Sequence, residues 1–273
     1  MLLTKKDILL LKNLPDQTPS MFTVDYGLRS VNAIRNDNKI NLENYSFSLS
    51  GKFKDDLCYL VNSEGIHPIA FFDEKTKKHY KLLATPDWPT TAISSVPMHR
   101  VASPKIDSEN KITSLQPHGK ILDTCTGMGY TAILCAKTCR EIYTFEKDPN
   151  MIFLAKLNPC SEKLFSAPNI KIHEKDINTA IYSLPSDFFD YIVHDPPTYK
   201  MAPDLFSEKF YKELHRILKI HGKMFHYVPL YRIKSGYDFP STIARKLKSV
   251  CFDVSAFNEK TSGFICRKRK LNS

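Results

Sequence analysis

The sequence predicts an α/β fold built on a parallel β-sheet, preceded by a small β-rich region. Residues 121–123 form an apolar run that ends in an acid and breaks into a Gly-x-Gly turn before a helical segment. Three later apolar segments, at residues 141–146, 170–174 and 189–194, each lead into a polar residue and are separated by helical patterns. Because the carboxyl ends of parallel strands meet at one edge of a sheet, these polar residues are expected to face one crevice.

The Gly-x-Gly turn after the first strand is typical of a nucleotide-binding loop. Gly127 and Gly129 can adopt backbone angles closed to other residues, and without side chains they let a ligand lie against the main chain. Glu146 ends the second strand, where a carboxylate can accept hydrogen bonds from both ribose hydroxyls. Gly127, Gly129 and Ala132 also match the dinucleotide fingerprint, so these features alone leave NAD and other adenosine cofactors equally open.

Two segments further along the chain separate these cofactors. Asp176 follows the third strand, where its carboxylate can accept a hydrogen bond from the exocyclic amine of an adenine, with the backbone amide of Ile177 as a second contact. The fourth strand runs into Asp195-Pro196-Pro197-Thr198-Tyr199. The two prolines fix φ and remove two backbone donors, so this segment is expected to be a rigid rim with acceptors and an aromatic face beside the ligand.

The chain resembles class I S-adenosylmethionine-dependent methyltransferases at motifs one to four, from about residue 98 to residue 227. The matching residues are Asp123, Gly127, Gly129, Glu146, Asp176 and Asp195-Pro196-Pro197. More narrowly, the chain resembles an archaeal family of predicted methyltransferases with similarity to spermidine synthases. That likeness is carried by residues 122–133, 145–150, 155–159 and 194–197, and by Met98-His99-Arg100. The resemblance implies a Rossmann-like sheet of seven strands, the last one antiparallel, and S-adenosyl-L-methionine as cofactor; it does not imply the substrate.

The expected site residues follow from these motifs. The expected cofactor-binding residues are Asp123, Thr124, Gly127, Gly129, Glu146, Lys147, Asp176, Ile177 and Asp195. The expected catalytic residues are Asp195, Pro196, Pro197 and Tyr199. The resemblance implies that Asp123 helps hold the methionine end of the cofactor, and a helix N-cap is its local alternative.

Two positions depart from the family pattern. Class I enzymes commonly carry a third glycine in the first loop where this chain has Cys125, a change that cofactor binding tolerates. The amino-methylating branch has an aromatic residue directly after Asp-Pro-Pro, whereas here Thr198 holds that position and Tyr199 follows it. The second departure weakens the expectation of a flipped-base mechanism.

Methyl transfer from a sulfonium is an in-line displacement, so catalysis mainly requires an acceptor held about 3 to 3.5 Å from the methyl carbon and able to lose a proton. Polar acceptors around Asp195 and Pro196 suit an amino nitrogen, which favours N-methylation. Two structural alternatives stay open: the prolines only end the strand, or Tyr199 packs under the loop instead of stacking on a base. His194 and His226 are either proton relays or hydrogen-bonded core residues.

The composition is that of a soluble globular protein, with 42% hydrophobic and 25% charged residues in 273. No apolar run is long enough for a membrane span, and Lys5, Lys6 and Asp7 interrupt the start of the chain, so an amphipathic helix is expected there instead of a signal peptide. The net charge of +10 favours a phosphate-bearing polymer such as RNA as partner.

The seven cysteines show no Cys-x-x-Cys spacing, so neither a disulfide framework nor a metal site is expected. They are predicted to be free thiols in a reducing cytoplasm. Cys135 and Cys139 lie four residues apart on the first helix, where burial explains them better than metal binding.

The chain is expected to divide into a small β-rich domain, residues 1–97, and a methyltransferase domain, residues 98–273. In the first domain we expect a helix at residues 5–13 and strands at 45–49, 57–61, 69–72 and 79–83. The proline-rich residues 85–107 are expected to be a linker. Toward the C-terminus we expect helices at 204–218 and 241–249, a fifth strand at 223–228 and a hairpin of strands at 252–257 and 263–267.

The function predicted from the sequence is methylation of an amino nitrogen on RNA, with S-adenosyl-L-methionine as methyl donor. The first alternative is an aminopropyltransferase acting on a polyamine, since spermidine synthases share this fold and a β-rich N-terminal domain. The basic charge of the chain speaks against the acidic pocket that a cationic amine requires. Further alternatives are a non-catalytic RNA-binding module and an NAD oxidoreductase, while the sequence carries no signal of oligomeric state.

Overall fold

The structure is a computed structural model that describes residues 1–99, 103–230 and 238–269. The chain forms two compact units, the first made of Met1–Lys105 with Phe153–Glu162 and the second of Ile106–Ile152 with Lys163–Ser273. Unit one thus takes a segment from the middle of the chain, which the predicted division at residues 97 and 98 does not include. Arg100, part of the Met98-His99-Arg100 segment, lies outside the described residues.

Among its described residues before residue 100, unit one contains one α-helix and three antiparallel sheets. The strands of the first sheet are β1 (Leu2–Thr4), β6 (Cys58–Asn62) and β7 (Gly65–Pro68). Those of the second are β2 (Ser20–Val24), β3 (Arg29–Asn36), β4 (Lys39–Leu42) and β5 (Tyr45–Ser48), and those of the third are β8 (Ala70–Asp73), β9 (Lys78–Leu83), β10 (Thr90–Ile93) and β11 (Val96–Pro97). The helix α1 (Lys5–Lys12) begins with a capping box formed by Thr4 and Asp7.

The predicted elements of this region are confirmed, but the prediction is incomplete. The helix at residues 5–13 and the four expected strands agree with α1, β5, β6, β8 and β9 to within one residue at each end. The remaining strands of unit one were not predicted. In β3, for example, Val31 and Ala33 alternate with exposed residues and lie in a core shared with Ile8 and Leu11 of the helix.

The predicted linker at residues 85–107 is wrong, because this segment contains β10, β11 and the start of the next helix. Its prolines stand where regular structure tolerates them. Pro89 directly precedes β10, Pro97 ends the edge strand β11, and Pro104 is the first residue of helix α2 (Pro104–Leu115). A proline-rich composition therefore marks the element ends here and not the absence of elements.

The rest of the chain alternates strands and helices, as predicted. The strands are β12 (Gly119–Asp123), β13 (Cys139–Phe145), β14 (Ile170–His173), β15 (Phe189–His194), β16 (Leu218–Tyr227), β17 (Phe252–Val254) and β18 (Gly263–Lys268). The α-helices after α2 are α3 (Tyr130–Cys135), α4 (Pro149–Leu157), α5 (Glu162–Ser166), α6 (Ile177–Ala180), α7 (Glu208–Ile217) and α8 (Phe239–Ser249). Short 3-10 helices lie at Asp25–Gly27, Pro159–Ser161, Ile181–Ser183 and Pro203–Phe206.

The seven strands of unit two form one sheet in the order β14-β13-β12-β15-β16-β18-β17. The first five run parallel, whereas β18 is antiparallel to both of its neighbours. The predicted Rossmann-like α/β sheet of seven strands with an antiparallel last strand is confirmed. The central strands β12 and β15 are hydrogen-bonded partners, so the residues that follow them lie side by side at the carboxyl edge.

One face of this sheet packs on a continuous apolar core. Leu122, Ile192 and Met224 of the sheet are buried with Phe210 and Leu214 of α7. Along α7 the buried residues recur at three- and four-residue intervals, which is why this segment folds as an amphipathic helix. The core fixes the strand ends that carry the predicted site.

The predicted helix at residues 204–218 is wrong in its extent. Ser207 has an extended backbone, with φ −88° and ψ 150°, and separates the 3-10 helix Pro203–Phe206 from α7. Its hydroxyl accepts a hydrogen bond from the amide of Phe210 at 3.2 Å, so Ser207 is the N-cap of α7. At the other end, Leu218 is already extended and opens β16, five residues before the predicted start of that strand at residue 223.

No helix in the described part of the chain combines the length and the apolar composition needed to cross a bilayer.

Candidate active site

The glycine turn joins β12 to α3 at the carboxyl edge of the sheet. Gly127 and Gly129 both have left-handed backbones, with φ of +52° and +76°. A Cβ on Gly129 would lie 2.6 Å from the Cδ2 atom of the buried Leu164, whereas a Cβ on Gly127 would meet no described atom within 4 Å. Gly129 is therefore required by packing, while Gly127 borders open space that a ligand can enter.

Glu146 holds this turn in place. Its two carboxylate oxygens accept hydrogen bonds from the backbone amides of Gly127 and Asp148, both at 3.0 Å. Burial raises the pKa of Glu146 above its ordinary value. Since each carboxylate oxygen has a second lone pair, Glu146 can bind the turn and still accept ribose hydroxyls.

Asp123 lies at the end of β12 and is fully buried. Its Oδ2 atom accepts hydrogen bonds from the hydroxyls of Thr144 at 2.9 Å and Thr131 at 3.3 Å, while its Oδ1 atom is buried without a partner among the described residues. Burial raises its pKa to about 7, and Asp195 adds to the rise. The N-cap of α3 is Gly129, so the helix-cap alternative for Asp123 is wrong.

These features fit an adenosyl sulfonium cofactor. An acceptor that is buried and lacks a donor costs free energy, and a cationic donor such as the ammonium of a methionine moiety would satisfy it. The open space at Gly127 lies beside Glu146, where an attached ribose can be bound. The donor set thus suits both ends of the molecule.

Thr124 and the histidines form a hydrogen-bonded core beneath the site. His194 donates through Nε2 to the carbonyl oxygen of Leu205 at 2.9 Å, so its Nδ1 atom accepts from the Thr124 hydroxyl at 2.8 Å. His226 donates through Nδ1 to the carbonyl oxygen of Tyr227 and accepts at Nε2 from the Tyr211 hydroxyl. Both side chains are fully buried.

Both histidines are neutral members of the core. Burial lowers the pKa of His194 to about 4 and that of His226 well below its ordinary value. Their rings are in edge contact, with centroids 4.5 Å apart. Of the two alternatives left open by the sequence, the geometry favours hydrogen-bonded core residues over proton relays.

Asp176 lies close to two other residues of the predicted site, Lys147 and Ile177, and is paired with Lys147. Asp176 caps α6, since its Oδ1 atom accepts from the amide of Asn178 at 2.9 Å. Its Oδ2 atom accepts from the Nζ atom of Lys147 at 3.3 Å, and the Ile177 side chain is buried in the core. With the Asp176 side chain 37% exposed, the adenine contact expected of it stays a prediction.

Asp195 is paired with a lysine that sequence reasoning missed. Its Oδ2 atom accepts from the Nζ atom of Lys111 at 2.8 Å, and Lys111 also donates to Asp107 at 2.7 Å. The Lys111 side chain is only 4% exposed, and its ammonium lies 5.0 Å from the ring centroid of Tyr227. The available signal was the four-residue spacing of Asp107 and Lys111, but nothing in the sequence ties them to a residue 84 positions away.

The charges of this cluster depend on one another. Burial alone would lower the pKa of Lys111, yet the adjacent Asp195 and Asp107 carboxylates reverse the effect and raise it above its ordinary value. Burial raises the pKa of Asp107, against the attraction of Lys111. Lys111 is therefore a protonated counter-ion and not a proton acceptor.

The segment after Asp195 is a proline rim followed by an exposed aromatic ring. Pro196 is buried and Pro197 is half-buried. Tyr199 packs edge-on against Phe206 and Phe239, with ring centroids 5.6 and 5.4 Å apart, and keeps 40% of its surface exposed. The ring thus packs at the loop and still offers a face to a planar ligand.

Comparison with known proteins gives one sequence relative and several structural neighbours. No family model matches the chain. An uncharacterized protein of Methanocaldococcus jannaschii is 41% identical over 182 residues, which cover 64% of this chain and 62% of that protein. The match therefore spans less than two thirds of the relative's length.

Among solved structures, the spermidine synthase of Thermotoga maritima superposes with a TM-score of 0.58 at 13% identity, covering 95% of this chain and 84% of that one. MnmC2 of Aquifex aeolicus gives a TM-score of 0.51 at 18% identity, with 67% of each chain covered. Identities this low establish the fold alone. The chain has the Rossmann-like class I fold, and its resemblance to an archaeal protein and to spermidine synthases is confirmed at that level.

Proposed function

We propose that this protein is an S-adenosyl-L-methionine-dependent methyltransferase that methylates an amino nitrogen on RNA. The observation that carries the proposal is an open glycine turn close to a buried carboxylate with one unsatisfied oxygen. Gly127 borders open space, and the Oδ1 atom of Asp123 is buried with no donor among the described residues. A cofactor that carries an ammonium group and an adenosine supplies the donor and fills the space.

Each residue at the edge then has a separate task. Asp123 binds the ammonium of the methionine end, and Glu146 accepts the ribose hydroxyls with its remaining lone pairs. Asp176, which follows β14 as the N-cap of α6, binds the adenine amine through its exposed carboxylate face. When bound, the cofactor supplies a methyl group attached to a positively charged sulfur.

The Asp195 rim holds the acceptor. The carboxylate of Asp195 and the carbonyl of Pro196 accept hydrogen bonds from the amino group and aim its lone pair at the methyl carbon. The new N–C bond forms as the S–C bond breaks with its electron pair remaining on sulfur. The excess proton on nitrogen leaves toward Asp195 and water.

RNA is favoured as the acceptor by charge and by the aromatic face of the rim. The chain carries a net charge of +10, which attracts phosphate backbones. Tyr199 offers a partly exposed ring next to Pro197, where an unpaired base can stack.

Aminopropyl transfer to a polyamine is the second candidate, because the likeness to a spermidine synthase covers 95% of this chain. A polyamine is cationic and needs uncompensated carboxylates. Here the carboxylate of the rim, Asp195, is already paired with the ammonium of Lys111. This pairing favours a neutral amino acceptor.

The test is to incubate the purified protein with cofactor labelled in its methyl group and with separate pools of cellular RNA, protein and small amines. The proposal expects label in RNA. Label only in protein or amines contradicts the RNA assignment, and transfer from decarboxylated S-adenosylmethionine alone establishes the aminopropyltransferase. Retention of NADH without S-adenosylhomocysteine would instead indicate an oxidoreductase, and binding of RNA without either cofactor an RNA-binding module.

A further inference from the structure

Lys111 is a buried cation on the acceptor side of the site, that is, beside Asp195 and the proline rim that follows it. It lies on α2, is 4% exposed, and reaches Asp195 across 84 residues of sequence. Burying a lysine costs free energy unless its charge is compensated, and here two carboxylates compensate it at 2.7 and 2.8 Å. Because this arrangement costs free energy and lies next to the proline rim, we expect the role of Lys111 to lie at the rim.

We propose that Lys111 is a positioning residue for methyl transfer, which orients the Asp195 carboxylate to accept an N–H from a neutral amino group. The inference rests on the proposed function and names the acceptor's charge state. Asp107 is the second anchor, and it fixes the ammonium between the two acids.

Two carboxylates and an aromatic ring surround the Lys111 ammonium. It donates to Asp107 and to Asp195, and the ring of Tyr227 lies 5.0 Å away. Within the described residues, Lys111 is bonded to the Oδ2 atom of Asp195, which leaves the Oδ1 atom to accept from an incoming amine. The side chain of Asp195 is 20% exposed, which allows that approach.

Several charged and titratable groups surround Asp195. Lys111 and Asp107 face it from α2, whereas Asp123 and Cys125 act on it from the end of β12 and the following loop, and His194 precedes it on β15. Lys111 is the positive charge in this set within the described residues. Removing it leaves like charges side by side, and the carboxylates then protonate more readily.

Two substitutions distinguish a positioning role of Lys111 from a purely structural one, because they are expected to shift the pH profile of kcat in opposite directions. In Lys111→Met, we expect kcat to fall by about 10- to 100-fold with little change in affinity for S-adenosylhomocysteine. We also expect the acid limb of the pH profile of kcat to move to higher pH. In Asp107→Asn, Lys111 is left to Asp195 alone, so the acid limb moves to lower pH.

A matched control is available in Lys268. This lysine is also buried, and its Nζ atom binds Asp187 and the carbonyl oxygen of Leu218, both at 2.7 Å, at the opposite end of β16. Lys268→Met is expected to lower thermal stability without moving the pH profile. If Lys111→Met behaves like Lys268→Met, with kcat and profile unchanged, the positioning role is contradicted.

Two further measurements keep the test decisive. If Lys111→Met does not fold, the profile of Asp107→Asn decides, and an unmoved acid limb contradicts the proposal. The stability loss of Lys111→Met is expected to shrink in an Asp195→Asn background, and equal losses in both backgrounds would show that Lys111 does not act on Asp195. If the wild-type protein binds cofactor but labels no acceptor, the proposed function and the positioning role are both contradicted. The coupling between Lys111→Met and Asp195→Asn still measures the ion pair in that case.

Discussion

The carboxyl edge of the sheet has two sides, a cofactor side around Asp123 and Gly127 and an acceptor side around Asp195. The carboxylates of the two sides differ in their partners. Asp123 ends β12, and Asp195 follows the adjacent parallel strand β15. Among the described residues, the partners of Asp123 are hydroxyls, and burial raises its pKa to about 7. Asp195 instead has the ammonium of Lys111 at 2.8 Å. Asp123 therefore has no cationic partner among the described residues, and a ligand can supply one, whereas Asp195 already has a cationic partner and suits a neutral ligand.

The largest effect is expected at the acceptor side. Asp195→Ala removes the acceptor that aims the amino group, so transfer should fall by at least about 100-fold. Because Asp195 is not the residue that binds the ammonium of the cofactor, affinity for S-adenosylhomocysteine should stay within about twofold. Single-turnover transfer and calorimetry measure the two quantities. Unchanged turnover would remove the positioning role from Asp195.

Substitutions at the two glycines of the turn should separate an effect on cofactor binding from an effect on folding. Gly127→Ala places a methyl group in open space that a ligand would enter, so cofactor affinity should fall by about 10-fold or more, with about 1 kcal/mol of backbone strain. Gly129→Ala places its methyl group against Leu164 and should lower the free energy of unfolding by about 1–3 kcal/mol. Urea unfolding and calorimetry on both variants provide the comparison. Equal affinities for Gly127→Ala and wild type would mean that the ligand does not approach this turn.

A smaller effect, on stability, is expected from Asp123. Its folded pKa is about 7, above the value near 4 of an unfolded aspartate. Between these two values the unfolded chain releases a proton that the folded protein keeps, so the free energy of unfolding should decrease as pH rises from about 4 to about 7. Asp123→Asn should lose this dependence. Urea unfolding of both proteins across this range tests the sign, and a wild-type protein that gains stability relative to Asp123→Asn would contradict the burial account.

The segments around Gly127 could be placed from the sequence better than the contacts of Asp195, for a physical reason. The features of the cofactor side are local: the turn from Gly127 to Gly129 and the acids at or after the strand ends can be recognised within short segments. The strand at residues 189–194 was predicted at its exact bounds in β15 because a continuous buried run is a strong signal.

The acceptor side depends on contacts between distant segments. Lys111 and Asp195 meet only after α2 packs beside the sheet, and their pairing has no sequence signature. Thr124 is expected to contact the cofactor; its hydroxyl is hydrogen-bonded to His194, a contact between distant segments that the sequence does not reveal. The missed strands β10 and β11 have the same origin, since prolines at the ends of elements resemble the prolines of a linker.

The central claim is that Asp123 and the glycine turn hold an adenosyl cofactor through its ammonium group. Calorimetric titration of the wild-type protein with S-adenosylhomocysteine at pH 8 and pH 6 tests it most directly. With a pKa of about 7 for Asp123, we predict clear binding at pH 8 and affinity about tenfold weaker at pH 6, a difference that Asp123→Asn should abolish. The account would be contradicted if neither S-adenosylmethionine nor S-adenosylhomocysteine gave a heat of binding at pH 8 or at pH 6.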